Sequence, residues 1–279
     1  NMFQFIANIF GYLLEWLYNG IGQNYGIALI LFTIILRIIL LPLTIKQQKS
    51  MKKTTALQGK MQEIQFKYKN NPELMNKEIM ELYKRENLSP FSGCISSIVQ
   101  ILIILSVFYL VSRPLTYMKK IDPGIIENYK NEISAENDGK ISNYYEIEII
   151  QKKAAQDENI KVNMDFLGLD LSKVPSQNMS DATVYIIPLL YVVSSIFSIR
   201  MTTGKTKKKE ESNSSEPDMT QQMNKSMSYM MPIMAVSIAF VAPLGLALYW
   251  LISNILMILE RIVINKYVDS KEEKTLCLK

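Results

Sequence analysis

Histidine does not occur anywhere in the 279 residues. Its absence removes the commonest metal ligand and the one side chain whose ordinary charge change falls near neutral pH. Cysteine is almost as scarce. Cys94 and Cys277 are the only two, far apart in the chain, so no disulfide framework is implied. No cluster of metal-ligating residues, no nucleophile with a companion base and no Gly-rich phosphate loop can be read in the sequence. These absences argue against an enzyme, and no cofactor or metal is expected. The N-terminal stretch NMFQFIANIFGYLLEW lacks a basic n-region and an evident cleavage site. A signal peptide, if the protein has one, is therefore expected to have been removed.

What is present is unevenly spread. Hydrophobic residues make up 48% of the chain, yet mean hydropathy is only +0.07. The apolar residues gather in blocks of roughly 18 to 21, near the length that crosses a hydrocarbon core of ~30 Å as helix. The expectation is an all-α integral membrane protein with five transmembrane helices, at residues 25–44, 90–113, 183–201, 226–243 and 244–265. The fourth block is broken by Pro232 and ends at Pro243. It is counted because the fifth needs the chain returned to the outer face, and APLG is a tight-turn sequence. Residues 1–20 are too short and too interrupted, by Gly11 and Glu15, to span alone. With Tyr12, Trp16 and Tyr18 they predict an interfacial helix on the outer surface.

Orientation follows from the basic residues. Segment 45–89 carries Lys46, Lys49, Lys52, Lys53, Lys60, Lys67, Lys69, Lys77, Lys84 and Arg85 against five acids. Segment 114–181 is acidic on balance, with eight lysines against twelve Asp and Glu. Linker 202–225 holds the cluster GKTKKKE. The positive-inside rule puts 45–89, 202–225 and the tail 266–279 in the cytoplasm, 114–181 outside, the N-terminus out and the C-terminus in. A bacterial plasma membrane is the expected location.

The cytoplasmic segment 45–89 predicts a helical hairpin. Leu57, Met61, Ile64 and Tyr68 mark one helix face, and NNP ends it. Asn71 suits an N-cap with Pro72 at the first helical position. Met75, Ile79 and Leu82 line the second helix. Gly59 predicts a bend in the first helix. Met61, Met75 and Met80 are candidate contacts for a substrate or partner, because methionine faces accommodate varied apolar shapes. The plainer alternative is that they only pack the two helices together. In the outer segment, Ile147 and Ile149 alternate with Glu146 and Glu148, and Ile160, Val162, Met164 and Phe166 alternate with Lys161, Asn163 and Asp165. That period of two predicts short strands.

Arg37 stands inside the apolar run LFTIILRIILLPLT. An Arg at a span centre costs roughly 2.5–3.5 kcal/mol on insertion scales, which snorkelling toward the cytoplasm would reduce. Other polar residues share helix faces within the spans: Thr33 with Arg37; Ser96 and Ser97 with Gln100; Tyr191 with Ser194, Ser195 and Ser198; and Trp250 with Ser253 and Asn254. Singly these are interhelical glue. Together they point to a hydrated groove around Arg37, with Thr33, Gln100, Trp250, Ser194 and Asn254 as candidate lining. No Asp or Glu lies in the first four spans, and Glu260 is near the cytoplasmic end of the fifth. Arg37 is thus expected to lack an internal salt-bridge partner, and a proton-coupled carrier to lack its titrating group.

The stretches TIILRIILLPLTIKQQKSMKK, LQGKMQEIQFKY, ELYKRENLSPFSGCISSIVQ, MDFLGLDLSKVP and MSYMMPIMAVSIAFVAPLGLALYWLISNI resemble the YidC-type membrane protein insertases (the YidC/Oxa/Alb family), in a five-span, Gram-positive-like form. Their order is also the family's. The resemblance implies five spans around a hydrophilic groove open to cytoplasm and lipid, with Arg37 supplying its charge and Thr33, Gln100 and Trp250 in its lining. It implies insertion of nascent membrane proteins without nucleotide hydrolysis. Partners would be those nascent chains and membrane lipids, with the ribosome and the Sec translocon as further candidates and no specific nucleic acid. Three features depart from the family pattern: Ser89 where Asn is common, no proline after Gln100, and a short tail of mixed charge where ribosome-contacting members are more basic. Two other function classes fit part of the pattern, namely a small-anion carrier or channel using Arg37, and a non-translocating assembly scaffold.

Overall fold

A computed structural model of the chain describes residues 2–88, 92–203, 234 and 236–277, with the side chains of 51, 55, 58, 92–97, 202–203 and 267–277 outside the description. Helix α1, Met2–Gly20, has two faces. Ala7, Gly11, Leu14, Leu17 and Tyr18 are buried. Met2, Phe5, Ile9, Tyr12 and Trp16 follow steps of three and four residues on the opposite side and are exposed. The buried face packs against α2 and α5. The expected interfacial helix 1–20 is therefore a docked element. Lys120 fastens it, donating to the Asn8 carbonyl and side chain with its ammonium 4.1 Å from the centre of the Tyr12 ring.

Helix α2 runs from Tyr25 to Ala56 without interruption. Asn24 caps it by accepting from the Ile27 N–H at 3.0 Å. The expected transmembrane helix 25–44 is the first part of this longer helix. Pro42 sits inside the helix, forfeiting one backbone bond without ending it, as apolar helices in a bilayer tolerate. The break falls instead at Leu57, before α3, Gln58–Lys67. Helix α4, Pro72–Arg85, completes the hairpin, and Asn71 caps it by accepting from Leu74 N at 3.2 Å. Leu57 and Leu82 are buried, Met61 Sδ lies 3.7 Å from the Tyr83 hydroxyl, and Lys60 pairs with Glu86 at 3.2 Å.

Helix α5, Ser92–Ser112, leads to a short α6, Pro114–Tyr117. Segment 114–181 is more folded than its composition implies. It contains α7, Pro123–Glu136, and α8, Tyr145–Lys153. The predicted strand at Ile147–Ile149 is thus a helix. Its apparent alternation is the coincidence of one face, since Glu146, Ile147, Ile149, Ile150 and Lys153 are all buried. Buried Glu146 accepts from the Thr116 N–H at 2.9 Å and its hydroxyl at 2.6 Å, tying α8 to α6. Of the second predicted strand only Asp165–Phe166 (β1) forms, paired antiparallel with Leu169–Asp170 (β2). Leu167 and Gly168 make the two-residue turn, both at positive φ.

The strap 163–173 crosses the ends of three helices, near Tyr18, Tyr25 and Leu244. Tyr25 N–H donates to the Asn163 carbonyl at 3.0 Å, and the Asn24 side chain donates to Asp165 O at 2.8 Å. Asn163 N–H donates to the Tyr18 hydroxyl at 2.9 Å. The Leu244 and Gly245 N–H groups, orphans at the start of a helix, donate to Lys173 O and Leu171 O, each at 2.9 Å. That helix, α10, is Leu244–Cys277, and α9 is Ile186–Thr203. The tail expected from residue 266 is helical to Cys277.

Among the described residues three helices are long and apolar enough to cross a membrane, at Tyr25–Thr54, Ala182–Met201 and Leu244–Lys266, with a shorter apolar stretch at Ile98–Ser112. The fourth expected span, 226–243, lies mostly outside the described residues, which are helical at 236–241. The linker 202–225 lies outside them beyond residue 203, as do the side chains of Ser96 and Ser97. Helix α2 packs against α1, α5 and α10, and α9 against α10.

Candidate functional site

The polar residues of α10 meet those of two other spans, on two of its faces. The first face meets α2. Arg37 donates from Nη2 to the Ser253 carbonyl at 3.0 Å and to the Ser253 hydroxyl at 2.7 Å. Its Nη1 lies 3.8 Å from Glu260 Oε2. Both side chains of this pair are 12% exposed. The expectation that Arg37 lacks an internal salt-bridge partner is therefore overturned. Glu260 is seven residues after Ser253, two helical turns along the same face. That spacing was the signal that could have found it.

The pair is loose. A charge-assisted N–H···O bond measures ~2.7–2.9 Å, and Glu260 Oε2, although buried, accepts no hydrogen bond. Gln48, eleven residues after Arg37 and hence on nearly the same face of α2, also has a buried side-chain oxygen with no donor. Arg37 itself is anchored through one of its terminal nitrogens.

The second face meets α9. Asn254 Nδ2 donates to Ser194 Oγ at 2.9 Å and to Ser195 Oγ at 3.2 Å, and Ser194 in turn donates to Tyr191 O at 2.9 Å. The Trp250 and Tyr191 rings are 6.5 Å apart, tilted, beside this cluster. Asn254 is buried and Ser194 and Trp250 are half-buried. Here the polar groups largely satisfy one another.

The six candidate lining residues thus divide. Asn254, Ser194 and Trp250 come together between α9 and α10, whereas Arg37 belongs with Ser253 and Glu260 between α2 and α10. Thr33 is fully buried and its hydroxyl donates to Leu29 O at 2.7 Å, within its own helix. Gln100 is half-buried on α5. In the hairpin Met61 is engaged with Tyr83, Met75 is half-buried and Met80 is exposed. Phe66, which the sequence did not single out, is the more exposed apolar group there, at 86%.

The family model described as 60Kd inner membrane protein matches residues 16–272. The chain is 28% identical over 261 residues to the membrane protein insertase YidC of Treponema denticola, covering 94% of this chain and 37% of that protein. It is 28% identical over 272 residues to the insertase YidC of Oceanobacillus iheyensis, covering 95% and 85%. Over 111 residues, 39% of this chain, it is 40% identical to 47% of the insertase YidC of Clostridium perfringens. The chain spans well under half the length of the Treponema relative and most of the length of the Oceanobacillus one.

Proposed function

The chain belongs to the family of the 60Kd inner membrane protein, and we propose that it inserts nascent membrane proteins into a bacterial membrane. The observation that carries this reading is the guanidinium of Arg37, held by Ser253 between apolar helices and only loosely countered by Glu260. In this reading a substrate's polar segment enters a groove from the cytoplasm and is drawn by Arg37 while its apolar segment partitions into lipid. Partition supplies the drive, and no nucleotide is consumed. Five spans surround the groove, with the N-terminus outside and the C-terminus in the cytoplasm. Gln100, Trp250, Ser194 and Asn254 line it beside Arg37, and Thr33 backs it. Met61, Met75 and Met80 on the hairpin receive substrate or partners.

The attraction has to be modest, because the substrate must leave. At an effective dielectric near 20 a charge pair at ~4 Å is worth ~4 kcal/mol before desolvation is subtracted. The test is reconstitution in liposomes with short single-span substrates, scored by protease protection. One substrate carries Asp in its translocated segment and the other Asn. Arg37→Ala is expected to lose insertion of the Asp substrate most, and Arg37→Lys to retain much of it. Equal loss of both substrates with Arg37→Ala would sink the electrostatic account. No insertion by the wild-type protein would sink the insertase reading.

A further inference from the structure

We propose that Glu260 is a specificity-determining residue, an internal competitor whose carboxylate occupies the place on Arg37 that a substrate's acidic group takes. This rests on the reading of Arg37 as the groove's charge. Three observations carry it. The guanidinium is fixed in orientation through Nη2 by two bonds to Ser253, which leaves Nη1 directed at Glu260. The Nη1–Oε2 separation of 3.8 Å is too long for a hydrogen bond, so the pair is held by charge alone. Glu260 Oε2 is buried and accepts no hydrogen bond, so its carboxylate gives up no hydrogen bond at that oxygen when it moves aside. A counter-ion meant only to neutralise Arg37 permanently would gain from closer contact and from donors on its free lone pairs. Glu260 has neither. An incoming carboxylate that reaches hydrogen-bonding distance of Nη1 makes the bond that Glu260 does not. A neutral segment has no such advantage and enters without displacing the pair. Glu260 therefore sets a threshold, so that weakly acidic segments compete poorly and strongly acidic ones win.

The experiment uses the full chain in detergent and two fluorescent soluble peptides that differ only in Asp against Asn at one position. Binding is read by anisotropy over a salt series. Glu260→Gln is expected to tighten binding of the Asp peptide by about fivefold, the upper range for a partly screened ion pair, and to leave the Asn peptide unchanged. The gain should vanish in an Arg37→Ala background and shrink as salt rises. Unchanged or weaker binding of the Asp peptide overturns the proposal, as does the same gain with Arg37→Ala. Should Glu260→Gln fail to fold, Glu260→Asp, which draws the carboxylate back by one methylene, is expected to give a smaller gain for the same peptide, and no gain overturns the proposal. Insertion by the wild-type protein that is indifferent to Glu260, with peptide binding equally indifferent, defeats this inference and leaves the insertase reading standing. A Glu260 effect on peptide binding in a protein that inserts nothing does the reverse.

Discussion

Arg37 and Asn254 show two ways a polar side chain is accommodated among apolar helices. Asn254 is met by Ser194 and Ser195 and ends in a closed set of bonds. Interhelical bonds of this kind are worth about 0.6 kcal/mol on average, so the cluster is modest glue. Arg37 has bonds on one side and a distant carboxylate on the other. The two should differ in their access to water. In a background lacking Cys94 and Cys277, single cysteines at 100 and 194 are expected to react with a hydrophilic thiol reagent from the cytoplasmic side, because Gln100 and Ser194 are half-buried. A cysteine at 254 is expected to react several-fold more slowly, because Asn254 is buried. Equal labelling from both sides of the membrane would indicate a channel. Equal rates at all three positions would show that the bonds of Asn254 do not keep water out.

Glycines test which helix contacts are fixed. A Cβ at Gly11 would fall on the backbone carbonyl of Tyr117, so Gly11→Ala must lift α1 from α6. Overpacking of this kind costs about 1–3 kcal/mol, and a lower melting temperature with faster proteolysis of α1 is expected. At Gly59 a Cβ meets nothing within 4 Å. Gly59→Ala is expected to stabilise α3 by about 0.5–1 kcal/mol, seen as slower hydrogen exchange there. At this scale the sequence was a good guide wherever a signal was local. Asn71 and Pro72 marked the start of α4 correctly, and the apolar blocks located α2, α5, α9 and α10. It misled where one signal had two causes. Ile147 and Ile149 alternate like a strand yet lie on one face of α8. Glu260 reads in the sequence as lying at the cytoplasmic end of its span, and periodicity within a helix does not say which neighbour it will face.

The molecule as a whole divides into a helical bundle, the hairpin α3–α4 and the cap formed by 114–181. The hairpin packs on itself and on the continuation of α2. Replacing residues 58–85 by a flexible bridge should leave the bundle folded and impair insertion, and unfolding in detergent would mean that the hairpin is structural instead. The cap is pinned near the start of α9 by Lys173, 2.8 Å from Asp181. Hydrogen bonding from Lys173, then from Thr183, holds the Asp181 carboxyl at about 2, below its ordinary 3.8. A depressed carboxyl stabilises the fold fully above its unfolded pKa and loses that contribution as pH falls through the folded one. The stabilisation from this pair should therefore be complete above about pH 4 and fade between pH 4 and 2. Melting curves of wild type and Asp181→Asn are expected to converge over that window. Convergence at a higher pH would assign the acid sensitivity to other groups.

The strap 163–173 bears on the membrane's electrical insulation. Its bonds to Tyr25, Leu244 and Gly245 run from main chain to main chain, so most side-chain substitutions leave them intact. In the orientation proposed above, water reaching Arg37 from the cytoplasm would meet this strap before the far side. A hydrated groove around Arg37 would then carry no conducting path, and the ion gradients across the bilayer would survive while the protein waits between substrates.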